Sequence, residues 1–178
     1  MMIYDLLKKD HDEVKLLLDQ LVALDENDQG AREVLITQIR DALVPHSRAE
    51  ESVFYNSLRG FESTKDEAIH GYKEHMEAEG HLRMLQIRDK IDVEWKETAR
   101  KLKSALEHHI LEEEGTMFNL ARQLFTPEEA EMMGQSFESL KPEIKEEGII
   151  GTTWDMVANL MPPRFKGRFQ DLHKNVPH

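Results

Sequence analysis

Residues 101–124 read Lys101-Leu102-Lys103-Ser104-Ala105-Leu106-Glu107-His108-His109-Ile110-Leu111-Glu112-Glu113-Glu114-Gly115-Thr116-Met117-Phe118-Asn119-Leu120-Ala121-Arg122-Gln123-Leu124. They hold two histidine–glutamate pairs offset by one residue. A helix puts residues three and four apart on one face. His109 and Glu113 then line up with Leu102, Leu106, Met117, Leu120 and Leu124, whereas His108 and Glu112 line up with Lys101, Ser104 and Gly115. The first pair points into a core and the second into water. An ionised carboxylate on an apolar stripe costs several kcal/mol unless something compensates it.

The same pattern recurs upstream. Residues 31–58 put Val34 or Leu35, Ile39, Leu43, His46, Glu50, Val53 and Ser57 on one face, up to the break at Arg59-Gly60, with Pro45 expected to kink or restart the helix ahead of His46. Residues 2–25 align Leu7, His11, Val14, Leu18 and Leu21, and Asn27-Asp28-Gln29-Gly30 ends the run. Thr64 with Glu67 reads as a capping box for a third helix that turns Tyr72, His75, Ala78 or Glu79, Leu82 and Leu85 inward. Asp92 can cap the fourth, in which Trp95 shares the face of Leu102, Leu106 and His109, and Thr126-Pro127-Glu128-Glu129 opens a short fifth helix to about Leu140. Four long helices joined by short loops predict an all-α, up-down-up-down four-helix bundle with a short fifth helix over residues 1–140. A C-terminal extension, 141–178, follows. There Pro142–Gly151 breaks the pattern, Thr152–Leu160 is long enough for two turns, and Arg164-Phe165-Lys166-Gly167-Arg168-Phe169 interleaves cations with aromatics. That last segment is either a docking peptide or a basic tail laid over its own acidic bundle.

Composition narrows the chemistry. The chain has 178 residues, with 23 Lys plus Arg against 35 Asp plus Glu, a net charge of −12, and no cysteine. Without cysteine there is no disulfide scaffold, thiolate zinc site, iron–sulfur cluster or cysteine nucleophile, so a metal must sit on N and O ligands. The acidic balance repels phosphate backbones and anionic lipid, which argues against nucleic acid or membrane as a partner. No run of apolar residues is long enough for a signal peptide or a membrane span, so a cytoplasmic location is expected. No phosphate-binding glycine loop and no nucleophile elbow is found.

Nine histidines among 23 glutamates would meet about one His-x-x-x-Glu pair by chance; five occur. His70/Glu74 continues through Asp66 and Glu77, and His81 lies with Glu74, Glu77 and Arg88, so these read as solvated beside His108/Glu112. His46/Glu50, flanked by Ile39, Leu43 and Val53, faces inward like His109/Glu113. Two lone inward histidines complete a repeat: His11 precedes His46 by 35 residues and Glu50 by 39, and His75 precedes His109 by 34 and Glu113 by 38. A lone inward histidine is usually a satisfied core residue, and Glu50 and Glu113 could be protonated or paired to their own histidines in a structural network. No inward Lys or Arg is available to them, however, and the matched offsets favour a cation. Two helical hairpins about a pseudo-twofold axis would converge four histidines and two carboxylates, each carboxylate able to bridge two ions. Such N/O ligation inside a bundle suits iron or manganese better than structural zinc.

The order His11, His46-x-x-x-Glu50, His75, His109-x-x-x-Glu113, with Glu-Glu at 50–51 and 113–114 and an aromatic a few residues on, resembles the hemerythrin-like (HHE cation-binding) domains over residues 1 to about 125. The resemblance implies a bundle holding a non-haem centre of two iron ions with an oxo or hydroxo bridge, which binds oxygen, nitric oxide, peroxide or a related small ligand. It makes His11, His46, His75 and His109 terminal ligands and Glu50 and Glu113 bridges. Oxygen-carrying members have a further histidine four residues from the one on the third helix. His75 instead has Gly71 four before it and Glu79 four after. This shifts the expectation from reversible oxygen carriage to sensing, redox chemistry or iron buffering. Gly71 would leave space at one metal, unless Glu79 supplies an oxygen donor as a seventh ligand. Two other function classes stay open: a di-iron oxidoreductase or peroxide scavenger, and a non-catalytic interaction protein whose binding element is Trp154 to Phe169.

Overall fold

A computed structural model describes residues 1–147 and 161–165. Five helical rods follow one another: α1 (Ile3–Ala23), α2 (Gln29–Glu50), α3 (Lys65–Ile87), α4 (Val93–Glu112) and α5 (Pro127–Glu147). α2 runs on through a π-helical segment, Glu51–Tyr55, into a last turn, Asn56–Leu58, and α4 likewise through Glu113–Met117 into Phe118–Leu124. No strand occurs among the described residues, and none of their helices is long and apolar enough to cross a membrane. α1 to α4 form the expected bundle. α5 packs along α1 and α2.

The start signals are met in part. Asp92 accepts from the Trp95 amide at 2.8 Å, and Thr126 and Glu129 make the reciprocal bonds of a capping box, 2.9 and 3.3 Å. Thr64 does precede α3, but its hydroxyl donates to the Leu58 carbonyl at 2.8 Å and does not cap the helix, so the expected box is not formed. Pro45 lies inside α2 without ending it. The departure from α geometry comes instead just past Glu50 and, at the matching place in the other half, at Glu113.

A π turn inserts one extra residue, which shifts the buried face of everything after it. After Glu50 this adds Phe54 and Tyr55 to the expected Val53, and Leu58 to the expected Ser57, all of them buried. After Glu113 it buries Met117, Phe118, Ala121 and Phe125, while Leu120 and Leu124, expected inward from an unbroken period, are only half-buried.

The apolar core is split into two clusters. One gathers Ile3, Leu7, Phe54, Phe118, Phe125 and Phe137, the other Leu18, Leu21, Ile39, Leu85, Trp95 and Leu102. Each fully buried large side chain contributes about 1.5–3 kcal/mol. Between the clusters lies a polar layer, His11, His46, Glu50, His75, His109 and Glu113, all at most 3% exposed.

The fifth helix is 21 residues long, as long as α1, and does not stop near Leu140. Pro142 removes one amide donor, but Leu140 and Ile144 on either side are buried in the first cluster, which offsets that loss. Of the extension, Met161 and Phe165 are buried in the same cluster. Arg164 donates to the Leu124 carbonyl at 2.7 Å, pairs with Glu129, and lies over the Phe165 ring at 4.7 Å. This part lies on its own bundle. Thr152–Leu160, Trp154 and Lys166–Phe169 fall outside the described residues.

Candidate metal centre

All six inward residues meet in the polar layer. Glu50 Oε2 is 3.4 Å from His46 Nε2 and 3.3 Å from His75 Nε2; Glu113 Oε2 is 3.3 Å from His11 Nε2 and 3.7 Å from His109 Nε2. The rings of His11 and His46 are 5.1 Å apart, and those of His75 and His109 4.7 Å with their Nε2 atoms at 3.2 Å. Each hairpin thus supplies a histidine pair, and each carboxylate touches one histidine of both pairs. Glu50 belongs to two triads of closely spaced donors, with His11 and His46 and with His75 and His109.

What faces this centre is fixed from outside. The Nδ1 of His46 meets Asp10 at 3.1 Å and that of His109 meets Glu74 at 2.8 Å; His11 and His75 meet Glu114 and Glu51, both at 3.0 Å. A carboxylate there needs Nδ1–H, which turns the Nε2 lone pair inward. Four lone pairs and two carboxylates then converge in a buried layer. His11 Nε2 and all four oxygens of Glu50 and Glu113 have no hydrogen-bond partner. Charge-assisted bonds would be about 2.7–2.9 Å long. Donors about 2.1 Å from one ion stand about 3.0–3.4 Å apart, which matches most of the spacings found. The arrangement fits cations and fits a closed hydrogen-bonded network poorly.

Without a cation the layer holds protons. Burial works against a charged His11, but Glu113 and Glu114 outweigh it and raise it to about 9. For His75 burial is outweighed by Glu50 and Glu51, which raise it to about 10. Burial and the facing Glu50 push Glu113 well above the usual carboxylate range, and burial holds His109 below its ordinary value. These protons occupy the lone pairs a metal would use, so metal uptake must release them.

Several placements differ from expectation. Glu74 is not a solvated partner of His70 alone: its side chain is 13% exposed and holds His109. The space beside Gly71 is filled, since a Cβ there would lie 2.7 Å from the buried Tyr55 ring. Tyr55 stacks on His75 at 5.3 Å, and its hydroxyl is 3.5 Å from His109 Nε2. Burial, then Glu113 and Glu50, keep that phenol well above its ordinary pKa, hence neutral. Glu79 points to Arg48 at 2.6 Å, and Arg48 also holds Glu51 at 3.0 Å, so Glu79 supports His75 at second hand. Asp10, Glu51, Glu74, Glu114 and Tyr55 were not singled out as site residues by periodicity. The signal was there in the doublets Asp10-His11, Glu74-His75, Glu50-Glu51 and Glu113-Glu114, in which the two halves match.

The fold and this layer together define a helical cation-binding domain. A family model, Hemerythrin HHE cation binding domain, matches residues 2–121, and the chain belongs to that family. A protein from Nostoc sp. (strain PCC 7120) named DNA nickase is 28% identical over 146 residues, covering 82% of this chain and 41% of that protein. The chain therefore spans less than half the length of that relative. No solved structure matches.

Proposed function

We propose that this chain holds a non-haem di-iron centre that binds or senses a small ligand such as oxygen, nitric oxide or peroxide. His11 and His46 would serve one ion, His75 and His109 the other, and Glu50 and Glu113 both. The observation that carries this reading is the sharing pattern: each buried, unpartnered carboxylate lies against one histidine from each pair. One ion in a tetrahedral set would leave half of these donors unused. Manganese is the alternative on the same donor set.

Iron bound there would supply open coordination positions and redox chemistry. The chain itself orients the four imidazoles through their Nδ1 carboxylates and keeps the layer dry between two apolar clusters. Tyr55 holds a phenolic proton beside the His75/His109 pair. Azide or nitric oxide added to the iron-loaded protein should change its ferric or ferrous absorption, and Tyr55→Phe should alter the rate or position of that change while iron content stays the same. No spectral response to any of these ligands, with iron in place, would contradict the reading. Steady turnover of peroxide with the metal intact would favour a scavenging enzyme. The DNA nickase relative raises a DNA substrate, against which the net charge of −12 weighs. Nicking of a supercoiled plasmid by the iron-loaded chain would favour it.

A further inference from the structure

The four carboxylates that hold the buried histidines are not backed alike. Glu114 faces Lys8 and Lys15 at 3.3 and 3.9 Å, Glu51 faces Arg48 at 3.0 Å, and Asp10 faces Lys141 at 2.6 Å. Glu74 has no Lys or Arg within 4.0 Å among the described residues. Its Oε1 instead faces His70 Nε2 at 3.4 Å and His108 Nε2 at 3.9 Å, and both imidazoles also lie 3.3 Å from Glu112. Glu112 has no Lys or Arg partner among the described residues either.

We propose that His70, Glu74, His108 and Glu112 form a second, solvent-accessible site for a divalent first-row transition metal, joined to the buried layer by Glu74. The donors come from two His-x-x-x-Glu pairs on the neighbouring helices α3 and α4, and those of His70, Glu74 and Glu112 lie within 4.8 Å of one another. The separations of 3.4 and 3.3 Å from His70 to Glu74 and Glu112 are long for charge-assisted hydrogen bonds and suit donors about 2.1 Å from one tetrahedral ion; His108 stands just outside that triad, 3.3 Å from the other Glu112 oxygen and 3.9 Å from Glu74. Two neutral imidazoles and two carboxylates balance a dication, which would stand where the pseudo-symmetry puts a Lys or Arg at the other three carboxylates. His70, His108 and Glu112 are 53, 62 and 45% exposed, and a surface groove of about 570 Å³ beside Glu74, His81 and His108 gives access. Glu74 turns one oxygen to this cluster and the other to His109, so the two sites share a carboxylate.

The test is a titration of the iron-loaded chain with zinc(II) against a chromophoric chelator, with iron content read in parallel. The proposal predicts one further zinc per chain without loss of iron. In His70→Ala/His108→Ala that zinc should bind roughly tenfold more weakly or worse, with iron content as in the parent. Glu112→Gln, isosteric and exposed, should weaken zinc in the same direction. Equal zinc affinity in the double variant, no zinc uptake by the parent, or uptake only in exchange for iron would overturn it. A chain that takes no iron yet binds zinc at His70 and His108 would leave this site standing and overturn the di-iron reading alone.

Discussion

His108/Glu112 and His109/Glu113 are the same chemical pair on one helix, one residue apart, yet their surroundings are opposite. His108 is 62% and Glu112 45% exposed, and water can satisfy whatever their neighbours do not. His109 and Glu113 are at most 3% exposed, and both Glu113 oxygens lack a hydrogen-bond partner. About 100° of helical phase separates a pair for which a metal is optional from one whose desolvation is uncompensated without a cation or protons. Motif spacing alone says little about ligation; the face on which the motif falls says much more.

Truncating a carboxylate from each region should separate the two pairs most clearly. Glu50→Ala or Glu113→Ala should lose most of the iron and lower the melting temperature of the reconstituted protein, because a ligand bound only to the folded state stabilises it by mass action. Glu112→Ala should keep its iron and its melting temperature. Equal iron loss from Glu112→Ala and Glu113→Ala, read by elemental analysis, would show that the helical phase is irrelevant.

Next in size is the pH dependence of the metal-free chain. His11 and His75 are raised to about 9 and about 10 from an ordinary value near 6.5. A raised folded-state value means that their stabilisation is complete below about pH 6.5 and is lost as pH rises through 9 and 10. The metal-free protein should therefore melt progressively lower across that window, whereas the iron-loaded protein, with those protons already displaced, should not.

Removing a carboxylate that orients a buried imidazole should have a smaller effect on metal. Asp10→Asn and Glu51→Gln each keep the side-chain shape and weaken the Nδ1 bond to His46 or His75, and a loss of roughly 10–100-fold in iron affinity is expected, read by chelator competition.

The smallest effects compare two glycines of α3. Gly71 lies against the buried Tyr55 ring, so Gly71→Ala should destabilise by about 1–3 kcal/mol. A Cβ at Gly80 would meet nothing within 4 Å, and Gly80→Ala should stabilise by up to about 1 kcal/mol through helix propensity. Urea melts that give both variants the same sign would show that Tyr55 is free to move.

The bundle and the six converging residues were legible because both follow from a single 3.6-residue period and two matched offsets. The π turns were not, since a one-residue insertion leaves no mark in the sequence except the displaced burial of Phe118 and Ala121 over Leu120. Tyr55 was missed for the same reason: an unbroken period from Glu50 leads to Val53 and Ser57, which are indeed buried, and the widened turn adds Tyr55 against His75. Glu74 was placed in water because periodicity along α3 sees His70 and Asp66 but not His109 across the helix interface. Gly71 read as a vacancy because the sequence shows which side chain a glycine lacks, not which neighbour fills the space.

We propose that two matched donor sets in the polar layer hold iron. The decisive measurement is anaerobic ferrous reconstitution followed by exposure to air, elemental analysis and an absorption spectrum. About two iron atoms per chain and near-ultraviolet charge-transfer absorption are expected. A chain that is fully folded, with native helix content and a cooperative melt, and stays free of iron after this treatment would contradict it.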